Sequence, residues 1–243
     1  MIKFLHILIL LNISTTILHA QSGGPPMITD DPGTPDKGTW EINFSFNTDL
    51  KTVEKEFEVP LIDINFGFNE RTQLKLEFPY LFTISDPNRN QNRIGDITLG
   101  IKYRFLDEDK FGISLSLYPQ ITIATETDTE NEYLLPLQIE KTFGKVVLGM
   151  DVRYAYLYGG TDFFQNGILI GYGLSESLNV MCEFVYWADL WNFDTLEGVL
   201  NLGLRYQANN TFSFIASLGT GLFSKDNDSK MILISFVGFQ IYI

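Results

Sequence analysis

From Thr39 onward, apolar and polar residues alternate with a period of two along most of the chain. The pattern is clearest between Gly95 and Ile123. There Ile97, Leu99, Ile101, Tyr103 and Phe105 alternate with Asp96, Thr98, Gly100, Lys102 and Arg104. A turn at Leu106–Lys110 follows, and then Phe111, Ile113, Leu115, Leu117, Ile121 and Ile123 alternate with Gly112, Ser114, Ser116, Tyr118, Gln120 and Thr122. Successive strand side chains point to opposite faces, so this stretch predicts a hairpin with one apolar and one polar face. Each arm is about as long as a tilted strand needs to cross a bilayer, roughly 9–11 residues.

The same alternation predicts strands at Thr39–Thr48, Phe57–Phe68, Thr72–Phe82, Tyr133–Phe143, Val146–Tyr158, Phe164–Leu174, Leu178–Trp187, Leu196–Tyr206, Thr211–Leu222 and Met231–Ile243. Parity slips near Pro60, where a bulge is expected because proline cannot donate to the ladder. With the central hairpin this makes about twelve strands. The connections alternate between short (Asn69–Arg71, Leu106–Lys110, Gly144-Lys145, Ser175–Ser177, Ala208–Asn210) and longer polar ones (Asp49–Glu56, Thr83–Arg93, Ala124–Glu132, Gly159–Asp162, Ala188–Asp194, Ser224–Lys230). Tight periplasmic turns opposite longer external loops are the signature of outer-membrane barrels. No helical-period segment of domain size intervenes, so residues 39–243 read as one domain. Before it, Gln21–Gly38 holds four prolines and four glycines and predicts no regular element. Either it is a free exported tail, or it folds into the mouth or lumen of the barrel.

The first twenty residues alter what the rest can do. Lys3, an apolar run from Phe4 to Ile13 and a small Ala20 predict a cleaved export signal, too short and too interrupted to span a membrane. Gln21 after Ala20 gives no cysteine for a lipid anchor at that cut. Its removal takes both histidines, His6 and His19, leaving 16 cationic against 30 anionic side chains, net −14. Without histidine the mature chain lacks the commonest general base and metal ligand, which excludes Ser-His-Asp catalysis and the usual zinc sites. The expectation is no enzyme and no cofactor or metal. The negative charge argues against a nucleic-acid partner. The single cysteine, Cys182, forms no intramolecular disulfide and falls on the apolar face.

Alternation also fits soluble sandwiches and barrels, and a soluble secreted β protein is the competing class. Three features favour the membrane. The polar face is rich in Ser, Thr, Asn, Gln and Gly, with few charges, unlike a soluble exterior. Aromatics gather near strand ends on the apolar face (Trp40, Phe68, Tyr80, Phe82, Tyr103, Phe105, Phe143, Tyr156, Tyr158, Phe212), as interfacial girdles do. The sequence also ends within an alternating stretch, with Val237, Phe239, Ile241 and Ile243 on one face. The predicted fold is an all-β, antiparallel, up-and-down transmembrane barrel in the bacterial outer membrane, closed because hydrocarbon leaves no partner for an open edge. Its partners are then outer-membrane lipid, a small-molecule solute and, during biogenesis, the barrel-assembly machinery.

This parity sends Lys75, Glu77, Lys102, Arg104, Asp151, Arg153, Glu183 and Arg205 inward, with Glu41, Asp63 and Glu140. They read either as a charged constriction selecting solutes or as ion pairs filling a narrow lumen. The acidic loops Glu126–Glu132 and Asp226–Asp228 lack the spacing of a dedicated calcium loop and read as solvated. Trp187 and Trp191 flank a loop and read as interfacial anchors.

Particular residues carry a family resemblance. Thr29-Asp-Asp-Pro-Gly-Thr-Pro35 with Gly38-Thr-Trp-Glu-Ile-Asn43 resembles the opening of a large group of Gram-negative outer-membrane proteins labelled transporters or "meta-pathway of phenol degradation" proteins. Pro60–Asn65, Gln73–Pro79, Gly95–Phe105, Tyr118-Pro-Gln120, Leu134–Leu137 and Lys141–Gly144 are similar to later blocks of that group. The loops here are shorter and more acidic, and Ile243 stands where such barrels often end in Phe. The resemblance implies a barrel and a transport role but no particular substrate. The expected function is a passive outer-membrane channel for small solutes, with aromatic or apolar compounds as the candidate class. The alternative is a structural or adhesive barrel with a blocked lumen and functional external loops.

Overall fold

The computed structural model describes residues 24–85, 90–126, 130–190, 196–225 and 230–243. The expected leader with its two histidines, Trp191, Asp226–Asp228 and the centre of the 126–132 loop lie outside them. In chain order the elements are β1 (Trp40–Lys51), β2 (Lys55–Asn69), β3 (Thr72–Ile84), β4 (Asn90–Ile94), β5 (Ile97–Leu106), α1 (Glu108–Phe111), β6 (Ser114–Leu117), β7 (Gln120–Ile123), β8 (Glu132–Phe143), β9 (Val146–Leu157), β10 (Phe163–Gly173), β11 (Leu178–Asp189), β12 (Glu197–Gln207), β13 (Phe212–Ser224) and β14 (Met231–Tyr242).

All of the pairings between them are antiparallel, and β1 pairs with β14 from Glu41 opposite Tyr242 to Leu50 opposite Leu233, which closes the sheet. Because β4 and β5 both pair with β3, and β6 and β7 both lie between β5 and β8, the strand segments form twelve staves. Closure satisfies the edge donors and acceptors that hydrocarbon would otherwise leave bare. Among the described residues no helix is long and apolar enough to cross a membrane; the strands do the crossing.

The alternation predicts which way the side chains face. Ile101, Ile170, Leu202, Leu218 and Val237 are all more than half exposed on the outer wall, whereas Asn43, Asp63, Gln138, Asp151, Glu183 and Gln240 are buried within. An exterior of this kind is inside-out for water and suited to lipid. Outer aromatics pair along the strands, Tyr80 with Phe82 at 5.1 Å, Tyr103 with Phe105 at 4.9 Å and Phe212 with Phe214 at 4.8 Å between ring centroids. Cys182 sits on this outer face, opposite Ile170 and Leu202.

Several details differ from the sequence expectation. The arm from Phe111 to Ile123 is two strands, broken at Tyr118-Pro119, where proline has no N–H to give. The turn at Leu106–Lys110 contains the one-turn α1, ended by Gly112 in the left-handed conformation (φ 77°). Asn90–Ile94 is strand, not loop, and pairs with β3. The Asp49–Glu56 loop shrinks to residues 52–54, because β1 and β2 run on past the expected ends. That extension sets Asp49 and Glu56 opposite one another in the barrel wall. At Pro60 the β2–β3 register shifts between Glu58 and Leu61, the bulge that proline predicts.

Candidate functional site: the barrel lumen

The lumen has two unlike walls. On the side of β1–β3, β5 and β7 it is polar, with Asn43, Asp63, Asn65, Gln73, Thr98 and Lys102 buried there. On the side of β9–β13 the inward positions include Val147, Leu169, Met181, Val185, Val199 and Ile215, all buried. An apolar inner surface in a water-filled pore would stay wet at a cost of about 25 cal/mol per Å². Here the segment 24–38 covers it. Met27 packs with Leu169 and Met181 in one buried cluster.

That segment enters beside the start of β1, where the Gly38 N–H donates to the Gly67 carbonyl at 2.7 Å and the Gly67 N–H to the Thr39 carbonyl at 3.0 Å. Its prolines, Pro25, Pro26, Pro32 and Pro35, keep it from adding to the sheet, so its backbone groups take side-chain partners from the wall. Glu183 on β11 accepts the N–H of Ile28 at 2.8 Å and of Thr29 at 2.7 Å. Asp151 on β9 accepts the N–H of Asp30 at 3.2 Å. In the other direction, Arg153 donates to the Ile28 carbonyl at 2.5 Å, Arg205 to that of Pro25 at 2.6 Å, and Ser217 to that of Pro26 at 2.8 Å. Lys102 reaches the Asp30 carboxylate at 3.1 Å and the Asp31 carbonyl at 2.7 Å, with its ammonium over the Tyr118 ring. Two wall glycines make the close approach possible: a Cβ on Gly167 would collide with the Thr29 hydroxyl, and one on Gly203 with the Met27 sulfur.

The segment divides the remaining space. Toward the long loops lies a cavity of about 410 Å³, whose lining includes Asn47, Asp49, Glu58, Lys75, Glu77 and Arg153. Toward the short turns only about 40 Å³ remains, between the segment and Glu41, Asp63, Gln73, Lys102, Tyr118 and Arg205. A third space of about 590 Å³ at the long-loop end is bounded by Ile28, Phe163, Trp187, Met231 and Ile234.

No protein-family model matches the chain. Among solved structures, an outer-membrane channel from Pseudomonas putida F1 superposes with a TM-score of 0.69 at 12% identity, covering 88% of this chain and 98% of that one. The NanC porin gives 0.62 at 8% identity, over 83% and 99% of the two chains. The CymD monoaromatic hydrocarbon channel gives 0.52 at 9% identity, over 86% and 89%. The fold is that of an outer-membrane β-barrel. At these identities the likeness concerns the fold.

The residues picked out by parity fall into three groups. Lys102, Asp151, Arg153, Glu183 and Arg205 hold the N-terminal segment. Lys75 and Glu77 pair at 2.6 Å on the polar wall, Lys75 also lying 3.3 Å from Asp63, and both line the larger polar cavity. Arg104 stands apart at the short-turn rim, where it and Arg71 converge on Asp107, Arg104 at 3.0 Å. Trp187 is not at the lipid interface but faces the long-loop cavity. Sequence reasoning passed over Asp49, Glu56 and Glu58, because it placed the first two in a loop and found broken parity at the third.

Proposed function

We propose that this protein is a passive outer-membrane channel for small solutes, entered from the long-loop side and held shut by its own N-terminal segment. One observation carries the reading: a lipid-facing barrel encloses a polar cavity of about 410 Å³ whose floor is a non-covalently docked segment, not part of the wall. Solute passage then requires that residues 24–38 shift or leave. Structures bearing this fold include porins and a channel described as one for monoaromatic hydrocarbons. Together with the apolar inner wall behind the segment, this supports aromatic or apolar compounds as the solute class, in keeping with the motif resemblance to meta-pathway of phenol degradation proteins. The pathway asks for no chemistry and no energy coupling.

The many bonds holding the segment favour a second reading, a permanently blocked structural barrel. Planar-bilayer recordings separate the two. The mature chain should give small, infrequent openings, and a form lacking residues 21–38 should give a larger ohmic conductance. Silence from both forms, with each shown to be a folded barrel by its heat-dependent gel mobility, would overturn the channel reading.

A further inference from the structure

The two larger cavities adjoin, since Ile28, Asp49 and Ile234 bound both. Three carboxylates, Asp49, Glu56 and Glu58, gather beside that junction, with Lys51 also lining the second space. Asp49 lies directly opposite Glu56 in the β1–β2 ladder, and Glu58, two residues along on the same face, stands opposite Asn47 and accepts its Nδ2 at 2.7 Å. Like charges set directly opposite destabilise a ladder. None of the three carboxylates forms an ion pair among the described residues, Lys51 being the nearest base along β1. Elsewhere on the wall several charges are ion-paired, Lys75 with Glu77 and Asp63, Arg153 with Asp151, Lys102 with Asp30, and the buried Glu183 and Glu197 accept backbone N–H groups. At this rim carboxylates outnumber bases, and Asp49 sits where it meets the apolar space walled by Phe163, Trp187 and Met231.

Unmatched carboxylates on one side and an aromatic wall on the other complement a single kind of molecule. We propose that the long-loop vestibule is a binding site for a small organic cation with an apolar or aromatic body, its ammonium toward Asp49, Glu56 and Glu58 and its body against Trp187 and Phe163. Such a guest supplies the missing counter-charge and covers apolar wall at the same time. A neutral analogue gains only the second, and an anion is repelled. Cavities of about 410 and 590 Å³ are within the usual size of small-molecule sites. The site deepens the channel reading, since it names what the vestibule would admit, but its occupancy is measurable without transport.

The test uses the full mature chain in non-ionic detergent, titrated at neutral pH with benzylamine, benzyl alcohol and benzoate, which share one ring and differ in charge. Binding is read by calorimetry and tryptophan fluorescence. Benzylamine should bind at least about tenfold more tightly than benzyl alcohol, and benzoate more weakly than either. High salt should shrink the preference, because it rests on charge. The variant D49N/E56Q/E58Q should bring benzylamine to the level of the alcohol while leaving the alcohol unchanged, and W187A should weaken both. Where the triple variant fails to fold, E58Q alone should reduce the preference part-way. Equal binding of amine and alcohol, a preference that survives in the variants, or no saturable binding of any probe would overturn the proposal. Liposome uptake keeps the two readings apart: charge-selective binding without uptake counts against the channel alone, and uptake without charge-selective binding counts against this site alone.

Discussion

Glu183 offers the sharpest way to loosen the N-terminal segment without touching the barrel exterior. Its carboxylate is 1% exposed and accepts three hydrogen bonds, from the N–H groups of Ile28 at 2.8 Å and Thr29 at 2.7 Å and from Asn201 Nδ2 at 2.8 Å. Hydrogen bonds to a charged group contribute about 1.5–3 kcal/mol each. Glu183→Ala removes two that tie segment to wall, so docking should weaken by about 3–6 kcal/mol, which is roughly a hundredfold or more in the docking equilibrium. Glu183→Gln keeps one acceptor and turns the other contact into donor against donor, so its effect should be intermediate.

The assay is thiol accessibility. A cysteine at Met27, which is buried against Leu169 and Met181, is placed in a Cys182→Ser background, since Cys182 is the one native thiol. Labelling by a membrane-impermeant maleimide, added to protein in liposomes, reports how often the segment leaves the wall. The order of labelling rates should be Ala above Gln above Glu, with bilayer conductance rising in the same order. Unchanged labelling and unchanged conductance in Glu183→Ala would refute the idea that these bonds hold the segment in place.

Two further expectations follow from the same geometry. Lys102→Met takes the ion-pair partner from the partly buried Asp30, so it should cost about 1.5–3 kcal/mol of docking, whereas adding Asp30→Asn should restore part of the loss; a double-mutant cycle on the same labelling assay measures it. On the outer wall, Leu202→Arg puts a charge among lipid tails at a mid-strand position and should destabilise the barrel by about 2–4 kcal/mol in urea unfolding from liposomes, leaving segment accessibility unchanged.

The barrel was legible because lipid imposes a strict demand. Every outward residue must be apolar, so Leu99, Ile101 and Tyr103 mark one face and Thr98, Lys102 and Arg104 the other, and parity carries that distinction through each strand. It also found the inward charges one by one. Parity could not say what an inward charge touches. Arg104 obeys the period but lies at the last turn of β5, within reach of Asp107 in the following loop. Nor could it separate the faces of β10 and β11, where Ile168-Leu169-Ile170 and Val180-Met181-Cys182 are apolar on both sides. Those runs signalled that something covers the lumen face, a signal readable only once the proline-rich stretch before Gly38 is brought in. Trp187 was misassigned for a related reason. Aromatics near loops suggest a lipid interface, but Glu183, Val185 and Trp187 share one parity, and Glu183 is an inward residue.

A segment with four prolines between Gly24 and Gly38 cannot satisfy its backbone by joining a ladder, and burying it inside a barrel removes the water that would serve instead. Each of its exposed N–H and C=O groups therefore asks the wall for a side chain of opposite hydrogen-bonding sense. The wall supplies acids where N–H groups point outward, Glu183 and Asp151, and donors where carbonyls do, Arg153, Arg205, Ser217 and Lys102. That pairing accounts for five of the eight residues that parity offered as a constriction, Lys102, Asp151, Arg153, Glu183 and Arg205. It also means that these residues meet a solute only after the segment has moved. A solute entering the polar cavity from the long-loop side instead meets Asp49, Glu56 and Glu58, carboxylates that hold none of the segment's backbone among the described residues.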